Sequence, residues 1–429
     1  MCVALQGMKK TDVLIVGGGP AGSACAMMLA DAGVSVTLLD KASFPRDKIC
    51  GDALSPDVLN QLVQVRPALR AHFDLQEKKQ RINGMRLVAP SGVHFDLMLN
   101  SAAEKLDGFV MSRMEFDRTL NEEVRKTKNI DLHEGVRVKK CTPLEGGMRV
   151  ETDQGEWNTR MLVGADGAHS VVAKQLAGFE MDRKHYCAAL RVYYENVDWA
   201  DHDADVIELH FLSEVSPGYL WVFPMEGNKA NVGIGMLSEY VSKKNVNLKE
   251  ELEKAIATHP RLAPRFKNAR ALESIKGFGI PLGSKKFPLS GDHFLLTGDA
   301  ASLVDPVSGE GIANALRSGR FAADHIQKAL KADRFDASFN KAYDKRLYKA
   351  IWAELRISRF IQKLFTSPKR VEWVTRLISN NKTVRRTIDR WLFDDHLMTH
   401  WNEPSYYWRK WTGRKKAQTT APVSVLQQK

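Results

Sequence analysis

Thr11-Asp12-Val13-Leu14-Ile15-Val16-Gly17-Gly18-Gly19-Pro20-Ala21-Gly22 is the stretch whose reading decides the fold. Asp12 to Val16 is a short apolar run, suited to a parallel strand buried on both faces. Three glycines follow at once, with Pro20 and Ala21 before the next. Ser23 to Ala32 is rich in good helix formers. Val34 to Leu39 is a second apolar run, and Asp40 closes it. Strand, glycine turn, helix, strand and acid within about thirty residues is the context that a dinucleotide fingerprint requires. Gly17 permits the tight turn, Gly19 lets backbone approach a pyrophosphate, and Gly22 lets the helix pack close on the strand. The helix N-terminus offers N–H groups and positive dipole to an anion. Asp40 can accept hydrogen bonds from ribose hydroxyls. An ordinary β-α-β unit with a glycine turn does not need all five features in register.

Around this unit, 429 residues predict two or three domains in an α/β chain. Apolar content of 44% and charged content of 27% are ordinary for a globular protein. The five cysteines (Cys2, Cys25, Cys50, Cys141, Cys187) form no C-x-x-C pair and no metal spacing. An odd, irregular set predicts reduced thiols and a cytoplasmic setting. The eleven residues before the first strand are too short for a secretory signal, and Met8 offers a second start. No apolar run reaches the length of a membrane span. The net charge of +12 is uneven: Lys341 to Lys429 holds 20 Lys and Arg against 7 Asp and Glu, a local +13 that leaves −1 elsewhere. An anionic partner would therefore meet the C-terminal segment, and nothing points to nucleic acid.

Ala42 to Pro56 reads as a loop over the dinucleotide site. Arg46 and Lys48 could face a pyrophosphate or substrate there, and Cys50-Gly51 sets a thiol beside flexible backbone. By chemistry alone Cys50 reads as a small buried hydrophobe. Val58 to Leu69 reads as a helix. Met85 to Val88 and Val93 to Leu99 alternate about a turn, as a hairpin does. Ser112 with Glu115 gives a capping-box start. Arg113 beside it serves an anion or is simply solvated. Gly135 to Lys139 and Met148 to Glu151 read as strands, and Met161 to Gly164 as an apolar strand ending at Asp166-Gly167. Arg191 to Val197, Val206 to Leu212, Gly218 to Pro224 and Ala230 to Leu237 are strands without intervening helices, hence an antiparallel sheet.

His293 to Ala301 repeats the apolar strand with a Gly298-Asp299 end. Pro306 to Ile312 follows, and then a helix from Ala313 to Leu330. Asp299 can hold a ribityl or ribose hydroxyl. Gly309 and Gly311 bare N–H groups at the helix start, where they can stabilise negative charge on a reduced ring. From Tyr343 the pattern is helical. Lys345, Lys349, Trp352, Arg356, Arg359 and Lys363 share one face, and Ile357, Phe360, Ile361 and Leu364 another. Tryptophans and tyrosines from Trp391 to Trp411, interleaved with Arg and Lys, suit an anionic membrane surface.

These motifs resemble the flavin-dependent geranylgeranyl reductases, within the aromatic-hydroxylase-like flavoproteins, over Asp12 to Ile326. Gly17, Gly19, Gly22 and Asp40 match the family's FAD fingerprint, where Glu is more usual at the last position. Gly164-Ala165-Asp166-Gly167 matches its Asp-Gly motif, and Gly298-Asp299 with Gly309-Glu310-Gly311 its flavin-ring motif. Monooxygenases and halogenases share these three. Cys50-Gly51-Asp52-Ala53-Leu54-Ser55-Pro56 is similar to the reductases' Cys-Gly-(small)-(small)-Leu-Ser-Pro loop, with Asp52 in place of the usual Gly. Tyr219-Leu220-Trp221-Val222-Phe223-Pro224 is similar to their Tyr-x-Trp-x-Phe-Pro strand, against Trp-x-Trp-x-Ile-Pro in halogenases. Alternation puts Tyr219, Trp221 and Phe223 on one face, where they suit either an isoprenoid chain or a plain core.

The resemblance implies an FAD-binding Rossmann-like domain (9–85, 105–180 and 286–335) and an antiparallel β-sheet substrate domain (86–104 and 181–285). A C-terminal helical segment (340–415) and a disordered tail (416–429) complete the chain. It implies FAD held through Gly17, Gly19, Pro20, Ala21, Gly22, Asp40, Lys41, Arg46, Cys50, Gly51, Arg113, Asp166, Gly298, Asp299, Pro306, Gly309, Gly311 and Ile312. Reduced FAD would pass a hydride to an alkene carbon of an isoprenoid substrate lying on Tyr219, Trp221 and Phe223. Cys50 would supply the proton, or relay one from Tyr219, and NAD(P)H or reduced ferredoxin the electrons. The enzyme would be cytoplasmic, and peripheral at the inner face of the membrane. The alternative on the same scaffold is an FAD monooxygenase or halogenase. A non-enzymatic lipid-surface flavoprotein is a third reading, which the intact flavin loops oppose.

Overall fold

The structure, a computed structural model, describes residues 9–98, 100–101, 104–105, 108–199 and 204–381. Strand β1 (Lys9–Val16) buries its last four residues. It runs through the glycine turn into helix α1 (Pro20–Asp31), and β2 (Val36–Asp40), buried throughout, returns parallel to β1 with Val13 opposite Val36. The expected helix from Val58 to Leu69 is two helices, α2 (Pro56–Val65) and α3 (Pro67–Asp74). Pro67 forces Arg66 into extended backbone and starts the second helix. Strands β3 (Gly84–Val88) and β4 (His94–Met98) form the expected hairpin. Helix α4 (Arg113–Lys126) starts at Ser112, whose hydroxyl accepts from the Glu115 N–H. The Glu115 carboxylate turns away to Lys78 and Arg118, so only half of the capping box forms.

Strand β5 (Ile130–Glu134) lies beside β2, and β6 (Val138–Leu144), β7 (Gly147–Thr152) and β8 (Gly155–Gly164) follow, then α5 (Val171–Leu176). Of the strand expected from Gly135 to Lys139, only Val138 and Lys139 are strand, as the start of β6; Gly135, at φ +71°, turns the chain into it. The first half of β8 pairs antiparallel with β7, and its second half runs parallel to β1. The sheet order is β5-β2-β1-β8-β7-β6.

A second sheet is built from β9 (Tyr186–Glu195), β10 (Val206–His210), β11 (Gly218–Met225) and β12 (Lys229–Leu237), in the order β9-β12-β11-β10-β3-β4. Helix α6 (Leu248–Thr258) covers one face, where Leu220 and Val222 of β11 join Leu248 and Leu252. The other face carries Trp221 and Phe223 with Ile207, Leu209 and Phe211. Strand β13 (Lys276–Pro281) pairs with β9. The chain then returns to the first sheet as β14 (Phe294–Leu296), parallel to β8.

Helix α7 (Ile312–Ala332) crosses α1 closely: a Cβ on Gly319 would overlap the Ala21 carbonyl. Helix α8 (Ala337–Leu364) buries Tyr343, Leu347, Ile351 and Leu355 in the main core, and α9 (Pro368–Asn380) follows. Ile357, Ile361 and Leu364 are only half-buried, and Phe360 is 63% exposed. The core contacts of α8 therefore lie in its first two thirds, from Tyr343 to Leu355, ahead of that apolar face. The expected aromatic-basic cluster from Trp391 to Trp411 and the tail lie outside the described residues. Among the described residues, no helix is long and apolar enough to cross a membrane.

Candidate active site

The glycine turn is shaped by backbone approaching backbone. Gly17 sits at φ +104°, and a Cβ there would overlap the Ala165 carbonyl. A Cβ on Gly22 would overlap the Gly17 carbonyl itself. Gly19 is different: the nearest atom to its imagined Cβ is Nη2 of Arg46, at 3.7 Å. Space is open there, faced by a guanidinium. Gly19 is the N-cap of α1, and no side chain caps that helix, so its first-turn N–H groups remain for an external anion.

Asp40 is buried, and its two carboxylate oxygens each accept a backbone N–H, Gly18 at 2.7 Å and Ala42 at 2.8 Å. It ties the turn to the loop after β2 and keeps lone pairs for hydroxyls. Arg46 lies on the Phe44 ring and pairs with Asp117 at 3.0 Å. Lys41 is exposed.

Arg113 fits neither of its two sequence readings simply, because it is 3% exposed and bonded to Asp117 by two 2.8 Å hydrogen bonds. Burial works against its charge, but Asp117, with Asp299, outweighs that and holds it protonated. Asp166 turns its carboxylate onto Ser170 and the Val171 N–H, where it caps α5.

The second loop continues the surface. Asp299 lies 3.5 Å from Lys48, whose ammonium sits over Phe278. The buried Asp305 accepts from the N–H groups of Val307 and Ser308, which shapes the segment after Pro306. Gly311 is the N-cap of α7, again with no capping side chain, and Ile312 is buried behind it. Glu310 accepts from the Ser55 hydroxyl, and burial pushes its carboxyl up to about 7.

Tyr219 joins this loop to the second sheet. Its hydroxyl donates to the Ser308 carbonyl at 2.6 Å, beside the space over Gly309. Burial keeps that phenol protonated far beyond neutral pH.

Cys50 is a free, half-buried thiol. Gly51 lies directly on the aromatic strand: a Cβ there would be 2.9 Å from Cε2 of Phe223 and 3.6 Å from Nε1 of Trp221. The loop and the strand that sequence singled out separately are thus in contact. A side chain that sequence gave no sign of holds them together. Asn231 of β12 donates to the Cys50 carbonyl at 2.8 Å and to Asp52 at 2.9 Å, and accepts from Trp221 Nε1 at 2.9 Å. Tyr193 and Arg191 were missed for the same reason: each reads as an ordinary member of a strand.

These elements offer an extended anionic ligand two open helix N-termini with cations beside them, at the C-terminal ends of β1 and β14, where ligands bind in sheets of this kind. The room at Gly19 and Gly309 and the uncapped N-terminus at Gly311 fit FAD. An aromatic face with a thiol and a phenol at its edge adjoins them. The surface concavity lined by Lys10 to Asp12, Ser35 to Thr37 and Asn129 to Asp131 lies at the opposite ends of the strands and holds none of these residues.

The chain matches the family described as FAD binding domain over residues 10–353. It is 30% identical over 348 residues to the digeranylgeranylglycerophospholipid reductase of Thermoplasma volcanium, covering 79% of this chain and 83% of that protein. To the menaquinone reductase of Mycobacterium tuberculosis it is 28% identical over 354 residues, covering 77% and 82%. The crystal structure of a geranylgeranyl bacteriochlorophyll reductase-like protein from Thermoplasma acidophilum superposes with a TM-score of 0.76 at 23% identity, over 92% of this chain and 100% of that one. That last likeness speaks for the fold.

Proposed function

The chain belongs to the FAD-dependent geranylgeranyl reductase family, and from that premise we propose that it reduces isolated C=C bonds in an isoprenoid chain on a lipid, quinone or pigment precursor. One observation carries the reading: the Cys50-Gly51 loop, the Tyr219-Trp221-Phe223 face and the Ser308–Gly311 loop meet. The relatives' names point the same way, to a digeranylgeranyl lipid and a menaquinone.

FAD held here would, when reduced, supply hydride chemistry to one alkene carbon. The chain's own residues hold and position it. Gly19 and Gly311 present helix N-termini, Arg46 faces the pyrophosphate space, and Asp40 and Asp299 take hydroxyls. Trp221 and Phe223 pack along the apolar substrate and keep water away. Cys50 carries the proton for the other carbon, its own or one relayed from Tyr219. NAD(P)H docking transiently, or reduced ferredoxin, supplies electrons.

The reading extends to the membrane. Trp373 (64% exposed), Phe360 and Leu377 stand out of α8 and α9 among the exposed Lys363, Lys369, Arg370 and Arg376. Trp373 and Leu377, one turn apart on α9 with Lys369, Arg370 and Arg376 on the same helix, suit an anionic lipid surface, and Val371 of α9 packs onto the aromatic face.

Donor oxidation with and without polyprenyl substrates, under argon and in air, tests the reaction. A gain of two hydrogens per bond, independent of oxygen, is expected. Product carrying added oxygen or halogen would overturn the reading in favour of a monooxygenase or halogenase.

A further inference from the structure

Asp52 is the residue at which this chain departs from the loop motif it otherwise matches, and it is fully buried. Its backbone is left-handed, at φ +66°, a conformation that glycine adopts freely and aspartate only at some cost. A charged side chain has therefore been set where a side chain is unwelcome to the backbone and its charge unwelcome to the interior. Three donors converge on it. Tyr193 Oη reaches Oδ2 at 2.5 Å, Asn231 Nδ2 reaches the same oxygen at 2.9 Å, and the Arg113 N–H at the start of α4 reaches Oδ1 at 3.2 Å. The Asp52 carbonyl accepts from the Met111 N–H.

Both hydrogens and the oxygen of the Asn231 amide are thereby engaged. One of its hydrogens goes to Asp52 and the other to the Cys50 carbonyl, while its oxygen takes the Trp221 indole N–H. With no spare partner, the amide cannot rotate without breaking several bonds. On the far side, Tyr193 is clamped between Asp52 and the Arg191 guanidinium, which stacks on its ring at 3.9 Å and is held by Asp47 and Glu273.

We propose that Asp52 is a positioning residue for the reductive step: its carboxylate locks Asn231, and through it holds the Cys50 backbone against Trp221. This rests on the reading of Cys50 and the aromatic face given above. The groups facing Asp52 are Tyr193 and Arg191 of β9, Asn231 of β12 and Arg113 of α4, with Asp47, Glu273 and Lys276 behind Arg191. Burial raises its carboxyl, against the pull of those donors and cations, to about 6. As pH falls through 6 the carboxylate takes up a proton, one acceptor site becomes a donor, and the bonds converging on Oδ2 rearrange.

Two measurements on the FAD-loaded, full-length protein test this. First, the 15N-indole signal of Trp221, assigned by its loss in Trp221→Phe, should move with a midpoint near pH 6 in the wild type. It should not titrate in Asp52→Asn, which tolerates the left-handed backbone and carries no charge. Second, Asp52→Asn should keep its FAD and substrate KM while kcat for alkene reduction falls by about tenfold or more, the scale of a misplaced reacting group. Asp52→Glu, with the charge but a longer reach, should restore the titration but not the rate. A Trp221 signal that ignores pH in the wild type, or a kcat unchanged in Asp52→Asn, overturns the proposal. If the signal titrates as expected but no polyprenyl alkene is reduced, the link between Asp52 and Trp221 stands and the reading of the reaction falls.

Discussion

The glycine turn at Gly17–Gly22 and the loop at Cys50–Asp52 adjoin each other through α4: Asp117 holds the Arg46 that faces Gly19, and the Arg113 N–H holds Asp52. They are made in opposite ways. The turn is shaped by its own backbone, by Asp40 at 22 residues' distance and by the Ala165 carbonyl. The loop is held by side chains, with Tyr193 and Asn231 standing 141 and 179 residues from Asp52. A site for a phosphate can be built from N–H groups, because the anion asks only for donors and space. On the proposed reading the loop must aim one thiol at one carbon, which needs a backbone fixed from several sides, and distant side chains supply that. Substitutions should therefore be all-or-none in the turn and graded in the loop.

The sharpest contrast lies within the turn. Gly22→Val drives a side chain into the Gly17 carbonyl, which nothing can relieve, so little folded protein is expected on size exclusion. Gly19→Val meets only the mobile end of Arg46. It should melt cooperatively like the wild type yet carry almost no FAD by absorbance at the flavin band. Full FAD content in Gly19→Val would break the assignment of the turn.

In the loop, Cys50→Ala should keep FAD and still be reduced by donor, while alkene turnover drops by about two orders of magnitude, the scale of lost general acid catalysis. Unchanged turnover would return Cys50 to a packing role.

Gly51→Ala should do less. Its Cβ would meet the Phe223 ring edge at 2.9 Å, and a ring can swing where a carbonyl cannot. A loss of about fivefold in kcat/KM, matching roughly 1 kcal/mol of repacking, is expected. Phe223→Leu should recover part of it.

The smallest effect concerns stability. The folded Asp52 carboxyl, raised to about 6 by burial, binds a proton more tightly than an unfolded one, whose pKa is about 3.9. Its ionised form therefore burdens the fold fully above pH 6, and the burden lifts as pH falls toward 4. Asp52→Asn should raise Tm above the wild type at pH 7.5, with the gain shrinking by pH 5, as expected where function is kept at some cost in stability. A lower Tm for Asp52→Asn at both pH values would mean that the carboxylate's bonds outweigh its burial.

Much of the fold was legible because its signals are local. The apolar runs of β1, β2 and β8, the glycine turn and the uninterrupted strands from β9 to β12 follow from periodicity and steric freedom, which act over a few residues. The same locality made errors where a neighbour decided. Pro67 split a helix that apolar spacing alone would continue. Arg113 read as surface-exposed or anion-binding because sequence cannot show that Asp117, one turn on, is buried with it.

By itself the sequence determined that a dinucleotide turn opens this chain, that a second glycine loop precedes α7, and that three aromatics share one face of β11. Those are properties of backbone geometry and strand alternation. The tertiary structure alone decided that the Cys50 loop lies on that aromatic face, that Tyr219 reaches the Ser308 carbonyl, and that Asn231 and Asp52 join them. Such contacts depend on which strands become neighbours in the β9-β12-β11 order. That order is selected by burying two faces of one sheet at once, a cooperative choice of the whole chain that no short stretch of it encodes.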